Sequence, residues 1–292
     1  MAYTTSNPAG TVAGGTDLAL KVFSGEVLTA FATKNVFMPL INTRTIASGK
    51  SATFPVIGSY SSADVLDHTP GVDITVNSIA QGEQVIAINS RKYASVFVDD
   101  FEEAMSHYEV RGQYSTEIGN ALAKKVDAAI ITQLDACANA TPETGQPAVN
   151  ADIALGATLA VNELVEAIFD AAATMESKDI AGDKVCVITP DAYYNLVQSD
   201  KAVNRDWTNG NGGIDTGNVF KIAGIPIMMS NNIPAGSWGY IFTPQAVGVV
   251  KLMDIKSEAN YIPEKLGTLM ASSYAMGEGV LNAGCSIRLT QA

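Results

Sequence analysis

Histidine is nearly missing from this 292-residue sequence: His68 and His107 are the only two. Neither has a Cys or second His at metal-ligand spacing, and neither H-E-x-x-H nor C-x-x-C occurs, so the common zinc centres are excluded. A Ser–His nucleophile would have to use one of these two, yet there is no G-x-S-x-G. An exposed or locally hydrogen-bonded side chain is the plainer reading of each. Cysteine is equally scarce. Cys137, Cys186 and Cys285 are odd in number and far apart, which argues against a disulfide framework and for a reducing compartment. Charge is low as well, 16% of residues against about 25% in an average soluble domain. A chain so short of surface charge often hides surface against partners, although an alanine-rich fold accounts for part of it.

Basic residues are the scarcer sign, 18 against 30 acidic, for a net charge of −12. Affinity for nucleic acid comes from Lys and Arg neutralising phosphates, so a DNA-gripping role is disfavoured. No apolar run reaches membrane-spanning length, and Met1–Thr16 is polar and rich in Gly and Thr, unlike a signal peptide. The expectation is a soluble chain, intracellular when made.

Gly49-Lys50-Ser51 has the ending of a phosphate-binding loop. That device needs a glycine five places before the second, a strand ahead and a helix behind. Arg44 holds the first glycine's place, and Ser51-Ala-Thr-Phe-Pro-Val-Ile is β-branched, aromatic and carries Pro55. A strand is expected there, confined to a sheet edge by Pro55. Gly210, Gly212 and Gly213 fare no better, because Asp215 fills the third fingerprint position. The acidic run Asp99, Asp100, Glu102, Glu103 is read as helix capping rather than a cation site. Trp207, in a glycine-rich loop, is either a binding anchor or a cover for the core. No active site emerges, and no cofactor is expected.

What is there is a run of distinct segments. Leu20, Phe23, Val27, Leu28 and Phe31 predict a helix capped by Asp17 and weakened by Gly25. Residues 46–98 are β-rich, with "SATFPVI" going out and "GEQVIAIN" and "RKYASVFV" returning as its partners. Such a hairpin has no third layer nearby to bury against, so another subunit is the natural cover. A helix from about Glu109 to Ala138 carries the stripe Ile118, Leu122, Val126, Ile130, Leu134, with Tyr114 before and Cys137 after. Residues 151–251 read as a compact α/β unit: an amphipathic helix with Leu164, Val165, Ile168, Phe169 and Ala172, the buried strand "KVCVIT", and a helix with Thr189 as N-cap and Pro190 first. From Asp254 the chain is β again, and no internal repeat is visible.

The stretches "KVFSGEVLTAF" (21–31), "SGKSATFPVIG" (48–58), "EEAMSHYEVRGQYSTEIGNALA" (102–123) and "YAMGEGVL" (274–281) resemble the major capsid proteins of short-tailed phages, the coliphage-T-seven-like podoviruses and their cyanophage relatives. The resemblance implies an α+β fold of the Hong Kong 97 type. Residues 1–45 would be an N-terminal arm, 46–98 an extended loop lying across a neighbour, 99–150 and 252–292 a peripheral domain with the spine helix, and 151–251 an axial domain. Contacts between subunits are expected at Arg44, Lys50, Phe54, Pro55, Val56, Arg91, Arg111 and Trp207.

By the same resemblance the chain is a structural protein, not an enzyme. It would assemble in the bacterial cytoplasm into hexamers and pentamers of an icosahedral virion head enclosing double-stranded DNA without sequence-specific binding. Some relatives cross-link the loop through a Lys–Asn bond, but Ser51 to Arg91 contains no lysine, so non-covalent burial must serve. The chain begins almost directly with the arm, which implies a separate scaffolding protein; a portal protein is the further partner, and a decoration protein is left open. The alternatives are an encapsulin-like nanocompartment shell and, remotely, a nucleotide-binding enzyme using Lys50.

Overall fold

The computed structural model describes residues 15–58, 65–74, 76–79, 81–101, 110–140, 152–160, 162–180, 182–199, 212–213, 218–219 and 221–291. In chain order come helix α1 (Gly15–Lys34) and strands β1 (Asn42–Thr45), β2 (Ser51–Ile57), β3 (Gln81–Ala87) and β4 (Lys92–Asp99). Helix α2 (Val110–Asn139), β5 (Asp152–Leu155), α3 (Glu163–Ser177), β6 (Val185–Ile188) and α4 (Pro190–Val197) follow. The short strands β7 (Gly212–Gly213), β8 (Asn218–Val219) and β9 (Lys221–Ile222) precede β10 (Ile225–Met229) and β11 (Ser237–Phe242). The long strands β12 (Val247–Ile262) and β13 (Gly267–Val280) lead to β14 (Ser286–Gln291). The mixture is α+β.

The chain divides into two compact units, and the division falls inside α2, β12 and β13. One unit is Met1–Val36, Ile88–Asp127 and Lys251–Met276. In it Phe23, Val27 and Phe31 form the buried stripe of α1, four residues apart as a helix face requires. The two helices touch at a point where only glycine fits: a Cβ on Gly119 would lie 2.8 Å from both the Ala30 Cβ and the Val27 carbonyl. Ile118, Leu122 and Val126 of α2 are buried as the periodicity requires. Asp127, also buried, accepts a hydrogen bond from the Val36 N–H at 3.3 Å and so ties down the chain leaving α1. The helix starts at Gly15, so Asp17 lies inside it and is not its cap.

In the same unit β4 runs antiparallel to β13, with Lys92 opposite Tyr274 and Asp99 opposite Gly267. This corrects the expectation that "RKYASVFV" pairs back onto "SATFPVI". The β4 side chains alternate, and Val98 buries its face on a strand about 170 residues away. Asp99 Oδ1 accepts the Phe101 N–H at 2.8 Å, the capping role read from the acidic run.

The other unit is Phe37–Ala87, Ala128–Val250 and Gly277–Ala292. Its centre is a six-stranded sheet in the order β5-β14-β11-β6-β10-β9. All four β6 residues are buried, the continuous apolar run of a strand covered on both faces. α3 packs against β5 and α4 through Leu164, Val165, Ile168 and Met175. Phe169, expected on that face, points outward and is 53% exposed. Tyr114, likewise named with the α2 stripe, is exposed. α4 begins as foreseen: the Thr189 hydroxyl accepts the Ala192 N–H and Pro190 opens the helix.

The final strand also departs from expectation. Residues 252–292 were assigned together to a peripheral sheet, whereas β14 pairs antiparallel with β11 and parallel with β5. Ile287 and Leu289 are buried in that sheet, while Arg288 between them reaches the Asp152 and Asp135 carboxylates. Those carboxylates, Asp152 foremost, push the guanidinium further up from its ordinary pKa.

Candidate functional site

The hairpin β2–β3 joins no larger sheet among the described residues. It pairs in register from Ser51 opposite Ala87 to Ile57 opposite Gln81, and the pairing comprises these two strands alone. Pro55, without an N–H, sits opposite Glu83 as an edge strand permits. One face of the ribbon is covered: Ala52, Val56 and Ile86 are buried, and a Cβ on Gly279 would stand 2.9 Å from Ile86. The hairpin therefore has a partial support within its own chain, more than sequence reasoning allowed.

The other face is the more exposed one among the described residues. Ile57, opposite Gln81, is 63% exposed, and Val85, opposite Thr53, is exposed too. Beyond the ribbon, residues 65–79 carry no regular secondary structure where described, yet they hold Val65, Leu66, Val72, Ile74, Val76 and Ile79, all exposed. Ile74 is 79% and Val76 89% exposed. Scattered exposed apolar side chains are ordinary, whereas six on one strap call for a cover. Sequence reasoning set this stretch aside as rich in turn residues and missed the alternation of Val72, Ile74 and Val76.

The expected contact residues are dispersed. Arg44 and Phe54 come together: Arg44 Nη1 donates to the Thr53 carbonyl at 2.6 Å, and its guanidinium lies 5.9 Å from the Phe54 ring centroid. Lys50 and Pro55 are exposed at the same hairpin. Val56 is 8% exposed, spent on its own chain rather than offered outward. Arg91, in the other unit, donates from Nε at 2.9 Å and from Nη2 to the Ser273 hydroxyl. Trp207 and the side chain of Arg111 lie outside the described residues.

Enzyme-like features do not assemble around these residues. Ser51 opens a strand where a phosphate-binding loop needs a helix. Among the described residues no cluster of three His, Cys, Asp or Glu side chains is arranged to hold a metal, and no helix is long and apolar enough to cross a membrane. The three thiols are buried; burial pushes those of Cys137 and Cys186 up to about 12, far from a reactive thiolate.

Comparison with known proteins gives this arrangement a context. A family model described as "Gp10A-like: Major capsid protein" matches residues 53–239. The major capsid protein of Escherichia phage T7 is 30% identical over 95% of this chain and 93% of its own length. That of Enterobacteria phage T3 is 45% identical over 122 residues, which are 42% of this chain and 35% of that protein. Among solved structures, the capsid of cyanophage P-SCSP1u superposes with a TM-score of 0.78 at 35% identity, covering 88% of each chain.

Proposed function

Because this chain belongs to the Gp10A-like major capsid protein family, we propose that its hairpin and apolar strap lie across a neighbouring subunit of the shell. The fold is the Hong Kong 97 type, and the chain is a structural subunit of a tailed-phage icosahedral capsid, found in the virion. Self-association is inherent in that role. The observation that carries the docking is the strap: residues 65–79 expose six aliphatic side chains that the subunit leaves uncovered.

In this reading residues 1–45 serve as arm, 46–98 as extended loop, 99–150 and 252–292 as peripheral domain, and 151–251 as axial domain. β14 crosses over to serve the axial sheet. Subunits join as hexamers and pentamers, with Arg44, Lys50, Phe54, Pro55, Arg91, Arg111 and Trp207 near the seams. Head-to-tail contacts between unlike patches close such rings. Val56 belongs to the same expected set, although its own chain already buries most of it. The loop is held without a cross-link, since no lysine stands between Ser51 and Arg91.

A scaffolding protein and a portal complete the proposed head, a decoration protein being optional. The net charge of −12 opposes adhesion of the packaged DNA to the wall. The subunit carries no catalytic step and no cofactor. The 30% identity over 95% of the chain is to a phage capsid protein, which favours a genome container over an encapsulin-like nanocompartment.

The test is to express the chain alone and with a scaffolding protein, beside a variant whose residues 59–80 are replaced by a short turn. Negative-stain electron microscopy should show closed shells or rings for the parent and dispersed, folded subunits for the variant. Shells formed equally well by the shortened variant would overturn the docking role of the strap.

A further inference from the structure

Strand β4 is the outermost of its sheet, joined to β13 on one side and to no strand on the other among the described residues. One bond fixes which of its main-chain groups face outward. The Asp100 N–H donates to the Leu266 carbonyl at 3.0 Å, so Asp99 and Gly267 oppose each other as a pair without mutual hydrogen bonds. Alternation then turns the N–H and C=O of Tyr93, Ser95 and Phe97 away from β13. None of these groups has a partner among the described residues.

Proteins usually blunt such an edge with proline, a bulge or brevity. β2 carries Pro55, whereas β4 runs eight residues in unbroken register without one. The same odd-numbered positions share the open face of the sheet. Tyr93 is 74% and Phe97 40% exposed, with Ser95 exposed between them.

This edge is complementary to itself. A second copy of "RKYASVFVD" (91–99) can lie antiparallel beside the first, about a two-fold axis at Ser95. Tyr93 then opposes the second copy's Phe97, Ser95 its equivalent, and Arg91 the second copy's Asp99; symmetry repeats the aromatic and ionic pairs. Aromatic, hydroxyl and opposite-charge pairs across strands all stabilise a sheet. The outward groups of Tyr93, Ser95 and Phe97 are all used, in about six main-chain hydrogen bonds. A slip of two residues one way sets Arg91 against Phe97, and the other way Tyr93 against Asp99. The register is therefore specified.

Both charged groups have capacity to spare. Arg91 gives Nε and Nη2 to the Ser273 hydroxyl, and Asp99 uses Oδ1 for the Phe101 N–H. Neither forms an ion pair among the described residues.

We infer that the outer edge of β4 pairs antiparallel with the same edge of a second copy of this chain, joining two sheets across a two-fold axis at Ser95. Head-to-tail contacts close rings, but ring must also meet ring, and an isologous strand pair is a contact of that second kind. The inference rests on the reading of the chain as a shell subunit and is independent of where the strap docks.

The experiment introduces Ser95→Cys into the full chain and treats assembled shells with a short bismaleimide. The three native thiols are buried, so the parent reports the background. Cross-linked dimer is expected as the main product in shells and absent from dispersed subunits. Shells without it would overturn the pairing alone, as would a scaffolding-protein strand found on this edge. A parent that forms neither shells nor rings would remove the shell reading and the pairing together. Charge gives an independent readout, with sedimentation for shell yield and circular dichroism for folding. Arg91→Asp sets carboxylates against each other at both ends and is expected to lower yield roughly tenfold at low salt. Adding Asp99→Arg restores opposite charges and should recover most of it, although the bonds of Arg91 and Asp99 within their own chain stay lost. Normal assembly of the single variant, or no recovery in a folded double variant, would overturn the pairing. Ser95→Pro deletes only an outward N–H, which an edge strand tolerates. It should leave folded subunits that do not close into shells, and normal shells from it would overturn the inference too.

Discussion

The six-stranded sheet and the β2–β3 hairpin obey the same alternation of side chains and put it to opposite uses. In the sheet, β6 is buried throughout, and Tyr240, Ile241 and Phe242 of β11 are fully covered by their own chain. In the hairpin, Ala52, Val56 and Ile86 are covered on one face, while Ile57, Val85 and the aliphatic side chains of the strap are exposed. The sheet's stability thus belongs to the subunit, and in the proposed docking the hairpin's belongs to the assembly. That separation suits a shell protein, which must fold before it finds neighbours and yet keep apolar surface in reserve for them.

Truncating the sheet core should have the largest effect on the isolated subunit. Ile241→Ala removes a fully buried side chain and is expected to cost about 2–5 kcal/mol, read as a lower thermal midpoint of unassembled protein. An unchanged midpoint would mean that the sheet does not hold the subunit together. A smaller loss follows from Arg288→Ala, which cuts the links from β14 to Asp152 on β5 and to Asp135 on α2. Both carboxylates are partly open to water, so about 1–2 kcal/mol is expected. Arg288→Lys should recover only part of it, because the paired geometry needs a guanidinium.

The hairpin should behave in the reverse way. Ile57→Ser with Val85→Ser is expected to leave the unassembled subunit within about 0.5 kcal/mol of the parent, since both side chains are already exposed. The same pair should make shells dissociate at lower denaturant or temperature. Equal losses in subunit and shell would erase the distinction between the two regions.

Local signals in the sequence carried far. The stripe Ile118, Leu122, Val126, Ile130, Leu134 is buried as its spacing requires, Thr189 and Pro190 begin α4, and Pro55 marks an edge strand. The turn of β2 into β3 also followed from local pattern. What escaped depends on residues far apart. Nothing near β4 points to β13, and nothing near Arg288 points to Asp135, 153 positions earlier. Phe169 was misplaced because helical periodicity places a face without saying how wide its cover is. The contact of α1 with α2 was invisible for a related reason: nothing near Gly119 points to Val27 and Ala30, about 90 positions earlier.

The smallest effect is a pH dependence in the sheet's own unit. The Glu163 carboxylate accepts the Ala160 N–H at 2.9 Å and the Gly156 N–H at 3.1 Å, fastening the loop from β5 to the start of α3. Ala160 first and Gly156 second hold its pKa below the ordinary 4.5. A carboxyl whose folded pKa is depressed binds protons more readily when unfolded, so it stabilises fully above about pH 4.5 and loses that contribution as pH falls through the lowered value. Glu163→Gln cannot ionise. It should melt slightly below the parent near neutral pH, and the two midpoints should converge in acid below the folded pKa. Because hairpin and strap take no part in these bonds, the convergence should be the same for the shortened-strap variant carrying Glu163→Gln. A gap that persisted in acid, or one that depended on the strap, would tie the loop after β5 to assembly rather than to the sheet.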